Sequence, residues 1–278
     1  MRRTVRAIFV HVRDACGYGC ATRNAPCSRM YRFALRPRWI AGHLLVASVA
    51  ASCAGLGVWQ LQRLEQRRDI NALIGQRGRL PLQPLETLSG PPASLVHRRV
   101  VVTGRYDTSR EVVLRGRSLN ETPGHHLLTP LVRPDGSAVV VDRGWVPADM
   151  DEPPVSAASP PAGQVTVTGV LTPSQDKGVL GPRDPPTGTL RRTGRVDVAR
   201  LARQMPYKLH PLYVRLGAQD PTQPGNRPAI PPSPPTDEGP HLSYAVQWFL
   251  FAAICLVVYM ALLRKLALIP DKSDIPSV

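Results

Sequence analysis

Two long apolar segments lie near the ends of the chain and enclose a polar central part. The first, residues 40–59, has twenty residues without a formal charge, and the second, residues 242–263, has twenty-two. A helix rises 1.5 Å per residue, so both segments are long enough for a hydrocarbon core of about 30 Å. The pattern therefore predicts two transmembrane helices, with bounds placed at residues 40–61 and 242–263.

Between these segments the pattern changes to short runs of β-branched residues separated by Gly, Pro and Asp. The runs predict six strands and one short helix that Asp197 caps: strands 96–106, 111–115, 127–132, 138–142, 164–171 and 212–216, and helix 198–205. Residues 221–240 contain eight prolines and predict an extended linker. The expected fold class is a membrane protein in which two transmembrane α-helices flank a β-rich α+β domain, residues 62–220.

The residues after the first apolar segment keep an apolar face through Leu61, Leu64 and Ile70. This spacing predicts that the same helix continues into water. Cleavage of a signal peptide near Ala51 or lipidation of Cys53 is the alternative, but apolar sequence continues past both positions. We therefore expect an uncleaved anchor.

Basic residues flank the two segments unequally. Residues 1–38 carry nine Arg and one Asp, and Arg264 and Lys265 directly follow the second segment. Because Lys and Arg accumulate on the cytoplasmic side, we expect cytoplasmic tails at 1–38 and 264–278 and an extracytoplasmic domain in a plasma membrane. Residues 1–29 lack periodicity and Met30 offers another start, so 1–29 are expected to be unstructured or outside the native chain.

The net charge of +15 does not indicate nucleic-acid binding, because much of it lies in the basic tail and no aromatic-interleaved basic patch occurs. The five cysteines lie in the tail and in the apolar segments, so the central domain has none for a disulfide. No hydrolase, phosphate-loop or metalloprotease motif occurs, and we expect no enzymatic activity.

Two groups of residues are candidates for chemistry. His241 begins the second apolar segment, where its imidazole could bind a porphyrin iron while Tyr244 and Trp248 stack on the ring, or could be an exposed interfacial histidine. Arg143 and Trp145 could grip a carboxylate or a partner protein, or Arg143 could fix a turn at Gly144 while Trp145 packs on the core.

Two further features of the first segment have structural interpretations. His43 lies near its start, and we expect its ring to reach the lipid headgroups. The small residues Gly55 and Gly57, next to Trp59 and Gln60, predict a helix-packing notch against the second segment.

Several blocks in this sequence resemble the surfeit-locus family of cytochrome c oxidase assembly proteins, in the family's order. They are GLGVWQLQRL at 55–64, RRVVVTGRYD at 98–107, VVLRGR at 112–117, GHHLLTPL at 124–131, VVVDRGWVP at 139–147, PLYVRL at 211–216 and GPHLSYAVQWFLFA at 239–252. The Ala-rich first segment and the Pro-rich return are similar to members from high-GC Gram-positive bacteria.

The resemblance implies a non-enzymatic biogenesis factor that assists delivery or insertion of haem a into the catalytic subunit of the oxidase. It implies that His241 binds the haem iron, and we expect Trp59, Arg63, Arg143, Tyr244 and Trp248 to contribute to haem a binding. The implied partners are the catalytic subunit, haem a synthase and membrane lipid. A membrane-anchored scaffold for oxidase subunits that does not bind haem is the alternative.

Overall fold

The computed structural model describes residues 32–175, 184–232 and 236–268. Predictions for residues 1–29, for the three cysteines within them and for residues 269–278 lie outside this part. The chain divides into two compact units: a helical unit, Met1–Leu64 with Gly239–Val278, and a barrel unit, Glu65–Glu238.

The helices and strands follow in chain order. They are α1 (Pro37–Gly78), β1 (Gln83–Pro84), α2 (Pro92–Leu95), β2 (Arg99–Tyr106), β3 (Val112–Leu119), β4 (Thr122–Val132), β5 (Ala138–Pro147), β6 (Val165–Thr172), β7 (Arg192–Thr193), α3 (Val198–Ala202), β8 (Tyr213–Asp220) and α4 (His241–Ala267).

Helices α1 and α4 contain the two apolar segments and are both long and apolar enough to cross a membrane. Helix α1 has 42 residues and continues to Gly78, which confirms that the residues after the first apolar segment remain helical. Helix α4 begins at His241, and Arg264 and Lys265 lie in its last turn, where cations are favoured. The fold thus has two apolar helices flanking a β-rich domain.

The barrel unit closes because its sheet returns to the strand where it starts. The strands are ordered β2-β6-β8-β5-β4, and β4 pairs again with β2 through Arg105–Val132 and Tyr106–Leu131. Gly104 makes this closure feasible, since a Cβ at that position would lie 2.5 Å from the carbonyl oxygen of Val132. Strand β3 extends the sheet beyond β4, and the short β1 and β7 add to its ends.

Alternating residues of the strands fill the barrel interior. This core combines valines and leucines from every barrel strand: Val100, Val102, Leu131, Val139, Val141, Val165, Val167, Leu171, Val214 and Leu216. On the other side of β4 and β5, α3 covers a second cluster that includes Val140, Val198 and Leu201. The Asp197 carboxylate accepts a hydrogen bond from the Arg200 N–H, so the predicted cap is confirmed.

The largest difference from the expected strands concerns β5. We expected it to end at Asp142, with a turn at Gly144 as one of two interpretations of the motif, but the strand continues to Pro147. The register between β4 and β5 shifts between His126 and Leu128, which identifies a β-bulge opposite Arg143 and Gly144. Gly144 supplies the positive φ of 120° inside a strand, so the interpretation of Gly144 as a turn residue was wrong.

Candidate cofactor site at one end of the helix pair

Along α1 and α4, the less exposed residues recur every three or four positions, as they do in two helices that pack against each other along a common seam. On α1 these positions are His43, Val46, Ala50, Cys53, Gly57 and Gln60, and on α4 they are His241, Ala245, Trp248, Ala252, Cys255 and Tyr259. Ala50, Gly57 and Ala245 are fully buried. We call these positions the helix seam.

Small residues bring the two helices close together in the helix seam. A Cβ at Gly57 would lie 2.8 Å from the Phe249 ring, whereas nothing lies within 4 Å of the same atom built at Gly55. The predicted packing notch is therefore present at Gly57, but Gly55 does not belong to it.

One end of the helix seam contains His43 with both ring nitrogens engaged. The Tyr259 hydroxyl lies 2.7 Å from its Nδ1, and the carbonyl oxygen of Ala34 lies 3.1 Å from its Nε2. A carbonyl can only accept, so Nε2–H donates to Ala34 and Nδ1 accepts from the Tyr259 hydroxyl. The His43 ring therefore joins the two helices, and its expected reach to the lipid headgroups stays a prediction.

The other end of the helix seam contains His241 and Gln60. The Gln60 Oε1 lies 2.9 Å from the His241 Nδ1, and an amide oxygen only accepts hydrogen bonds. Nδ1 therefore carries the proton, and the lone pair of the neutral ring lies on Nε2. In the described residues Nε2 has no hydrogen-bond partner.

Gly239 leaves the approach to this nitrogen without a side chain. A Cβ built at Gly239 would lie 3.7 Å from the His241 Nε2, and the glycine has a φ of +67° that other residues rarely adopt. Glycine at position 239 therefore permits the backbone conformation that leads into α4, and it leaves Nε2 accessible.

The other predicted site residues of the helical unit differ in their exposure and in their contacts. Trp248 lies in the helix seam, and its ring meets Phe251 edge to face at 5.8 Å between centroids. Trp59 and Tyr244 lie outside the helix seam, with 51% and 47% of their surfaces exposed. Arg63 is exposed and makes an interaction of its own.

Arg143 occupies a different place from the one that the haem hypothesis assigned to it. It belongs to the barrel unit, where its side chain is 0% exposed. Its guanidinium donates to the Glu111 carboxylate at 3.1 Å, the Ala158 carbonyl at 2.6 Å and the Gln223 amide oxygen at 3.1 Å. Arg143 is therefore a buried structural residue, and it exposes no guanidinium surface to which a haem propionate could bind.

The surroundings of Arg143 explain how a charge is accommodated inside a barrel. Glu111 also accepts hydrogen bonds from the Thr129 hydroxyl and the Val155 N–H, and the Tyr106 ring lies 5.3 Å below the guanidinium. Burial lowers the pKa of Arg143, and the Glu111 carboxylate acts in the opposite direction. Burial also raises the pKa of Tyr106.

Trp145 packs on the barrel, as the structural interpretation of this motif expected. It is 4% exposed, and its main chain pairs with Ala229 through hydrogen bonds of 2.7 and 2.8 Å. The Arg227 guanidinium lies 5.0 Å from the ring centre. The end of β5 is thus covered by the segment around residue 229 and does not form an open binding surface.

The donor set at the His241 end fits a haem better than a structural metal ion. No group of three or more His, Cys, Asp or Glu that could hold a metal lies within the described residues. A haem iron already has four porphyrin ligands and needs only an axial side chain, commonly a neutral imidazole. His241 has an imidazole of this kind, with Nε2 unbonded among the described residues, at the end of two helices with apolar surfaces.

Fold and site together define a class: proteins in which two apolar helices flank a β-barrel domain in the chain and a histidine begins the second helix. The SURF1 family model matches residues 47–253, which include the whole barrel unit and the His241 end of the helix seam. The chain belongs to the SURF1 family, known in general as cytochrome oxidase assembly factors and not recognised as enzymes.

Individual relatives agree with this membership. An uncharacterized SURF1-like protein of Mycobacterium tuberculosis is 31% identical over 232 residues, which cover 80% of this chain and 82% of the relative. A SURF1-like protein of Monosiga brevicollis is 27% identical over 78% of this chain and 86% of its own length. Surfeit locus protein 1 of Mus musculus is 26% identical over half of each chain.

Proposed function

We propose that this protein assists assembly of a haem–copper cytochrome c oxidase by holding haem a at His241 and passing it to the catalytic subunit. The observation that carries the proposal is the His241–Gln60 contact, which leaves the His241 Nε2 with a lone pair and without a partner among the described residues. Bound there, haem a would supply an iron that accepts this lone pair.

The chain's own residues provide the remaining functions in this proposal. The apolar faces of α1 and α4 give the macrocycle a lipid-level contact, and Trp248 adds an aromatic surface two turns along the same helix from His241. Arg63 supplies a cation one turn from Gln60 for an anionic propionate. The temporary nature of delivery agrees with a single protein ligand.

The proposal includes a location and partners. Both apolar helices cross a plasma membrane with both termini in the cytoplasm, and the barrel unit lies outside the cytoplasm. The catalytic subunit of the oxidase receives the haem, haem a synthase is the source, and lipid surrounds the helices. A scaffold that holds oxidase subunits without haem has the same fold but does not require an accessible Nε2.

The test compares two histidines of the same helix pair. We expect full-length protein co-expressed with the enzymes of haem a synthesis to purify with haem a and a Soret band, and His241→Leu to lose both. The control His43→Leu removes a histidine whose two ring nitrogens are already occupied, so it should retain the pigment. Equal haem loading of wild type and His241→Leu would refute haem binding through His241 and favour the scaffold.

A further inference from the structure

We infer that Gln60 is a positioning residue, which fixes the tautomer and orientation of His241 so that Nε2 faces its ligand with a lone pair. This inference rests on the proposed function, because the ligand in question is the haem iron. It adds a residue that the sequence did not single out for binding. Gln60 itself does not contact the iron.

Gln60 of α1 and His241 of α4 form a hydrogen bond between the two helices. The two residues are 181 positions apart in the chain, yet Oε1 of Gln60 and Nδ1 of His241 lie at a hydrogen-bond distance of 2.9 Å. Residues that ligate metals through one imidazole nitrogen usually donate the other N–H to an acceptor, which sets the ring direction and raises ligand basicity. Gln60 provides such an acceptor from the opposite helix.

The two ends of the helix seam differ in how their histidines are hydrogen-bonded. His43 and Tyr259 also form a polar contact between the helices, so an interhelical hydrogen bond alone would explain both pairs. However, His43 uses both ring nitrogens, whereas His241 uses one and keeps Nε2 open beside Gly239. The His43 end therefore has the arrangement of a structural clamp, and the His241 end has the arrangement of an oriented ligand.

The acceptor of the His241 Nδ1–H is the neutral amide of Gln60. A glutamine side chain in an apolar helix pair costs free energy unless its polar atoms are bonded, and its oxygen cannot donate a proton to Nδ1. A leucine of similar size would keep the packing but leave both tautomers available. A glutamate would keep the acceptor and strengthen it by its charge, so Gln60→Leu and Gln60→Glu separate positioning from packing.

The first experiment reads the tautomer in the full-length, haem-free protein. Nitrogen-15 NMR of histidine-labelled protein in lipid nanodiscs distinguishes protonated from unprotonated ring nitrogens. We expect His241 to carry its proton on Nδ1 in wild type and in Gln60→Glu, and to become a mixture of tautomers in Gln60→Leu. Tyr259→Phe, which removes the matched hydrogen bond at the other end, should leave the His241 signals unchanged.

The second experiment measures binding of haemin to the same four proteins and to His241→Leu by the Soret band. Loss of a partner that orients a ligating histidine weakens binding by about tenfold to a hundredfold, which is the expectation for Gln60→Leu. Gln60→Glu should restore affinity to near the wild-type value, and Tyr259→Phe should not change it. An unaltered tautomer and affinity in Gln60→Leu would overturn the inference, as would an equal loss of affinity in Tyr259→Phe.

The outcomes separate the inference from the proposed function. If His241→Leu binds haemin like the wild type, haem binding through His241 fails, and with it the role of Gln60 toward a haem. If His241→Leu loses haemin but Gln60→Leu does not, the proposed function stands and Gln60 contributes only to helix pairing.

Discussion

Arg143 and Glu111 are a fully buried ion pair, with side chains 0% and 2% exposed. Residues that form such a pair depend on each other, because removal of one leaves the other charged without water or a partner. Glu111 has three donors and Arg143 three acceptors, so each is held by more than the pair itself. The pair therefore contributes to the stability of the barrel unit.

Replacing Glu111 with Leu is expected to destabilise the barrel unit by about 3–5 kcal/mol, because Arg143 would remain as an uncompensated buried charge. Denaturant unfolding of the full-length protein in which Trp39, Trp59 and Trp248 are replaced by Phe, followed by the fluorescence of Trp145, would measure this loss. Glu152→Gln is the matched control, since Glu152 pairs with Arg192 while 70% of its side chain is exposed. A comparable loss in both variants would contradict the assignment.

Single residues show where inference from the sequence ends. The sequence identified His241 as a candidate ligand and gave packing on the core as one of two interpretations of Trp145. It did not identify the partners Gln60 and Glu111, because hydrogen bonds across 181 and 32 positions depend on how distant elements meet. The spacing of Ala50, Gly57 and Gln60 on one helix face was a usable signal that Gln60 faces α4.

At the scale of elements, the two helices were predictable because an apolar run of twenty residues has few alternative structures. Strands were predicted at nearly the right places, but β5 was shortened. A bulge with a positive φ at Gly144 lets the strand continue, and a glycine after Asp-Arg more commonly signals a turn. The two-residue strands β1 and β7 have no hydrophobic pattern of their own and were missed.

Gly57 determines how closely α1 and α4 can pack. Gly57→Ala should destabilise the helix pair by about 1–3 kcal/mol, because its Cβ would lie 2.8 Å from the Phe249 ring. Thermal unfolding followed by helical circular dichroism in detergent would measure the effect. Gly55→Ala has open space around the new Cβ and should be neutral or slightly stabilising.

A second change tests whether the loss comes from this contact. Phe249→Leu in the Gly57→Ala background should recover part of the stability, since a smaller side chain makes room for the new Cβ. If Gly57→Ala unfolds at the same temperature as the wild type, the close contact between the helices does not stabilise the pair.

For the whole molecule, the sequence predicted the order of units: an apolar helix, a β-rich domain, and a second apolar helix. It did not predict that the sheet closes into a barrel, because closure depends on the contact between the end of β2 and the end of β4. Hydrophobic periodicity fixes which face of a strand is buried, but it does not fix the strand's neighbours. Gly104, whose lack of a Cβ lets β2 and β4 approach each other, was a local sign of this contact.

The orientation of the whole chain is testable because its basic residues are unevenly distributed. Arg264 and Lys265 end α4, whereas residues 221–241 before it contain only Arg227 among Lys and Arg. Positive charge near a helix end remains on the cytoplasmic side, so residues on the two sides of α4 should differ in accessibility. With the five native cysteines replaced by serine, a cysteine at Asn226 or Lys265 reports on one side each.

A membrane-impermeant maleimide added to intact spheroplasts should label Asn226→Cys, which is exposed in the barrel unit. Lys265→Cys should react only after the membrane is permeabilised, although its position is equally exposed in the structure. Permeabilised cells control for folding, since both cysteines should then react. Labelling of Lys265→Cys in intact spheroplasts would place the end of α4 outside the cytoplasm. The barrel unit and the His241 end would then lie on the wrong side of the membrane for the proposed delivery of haem a.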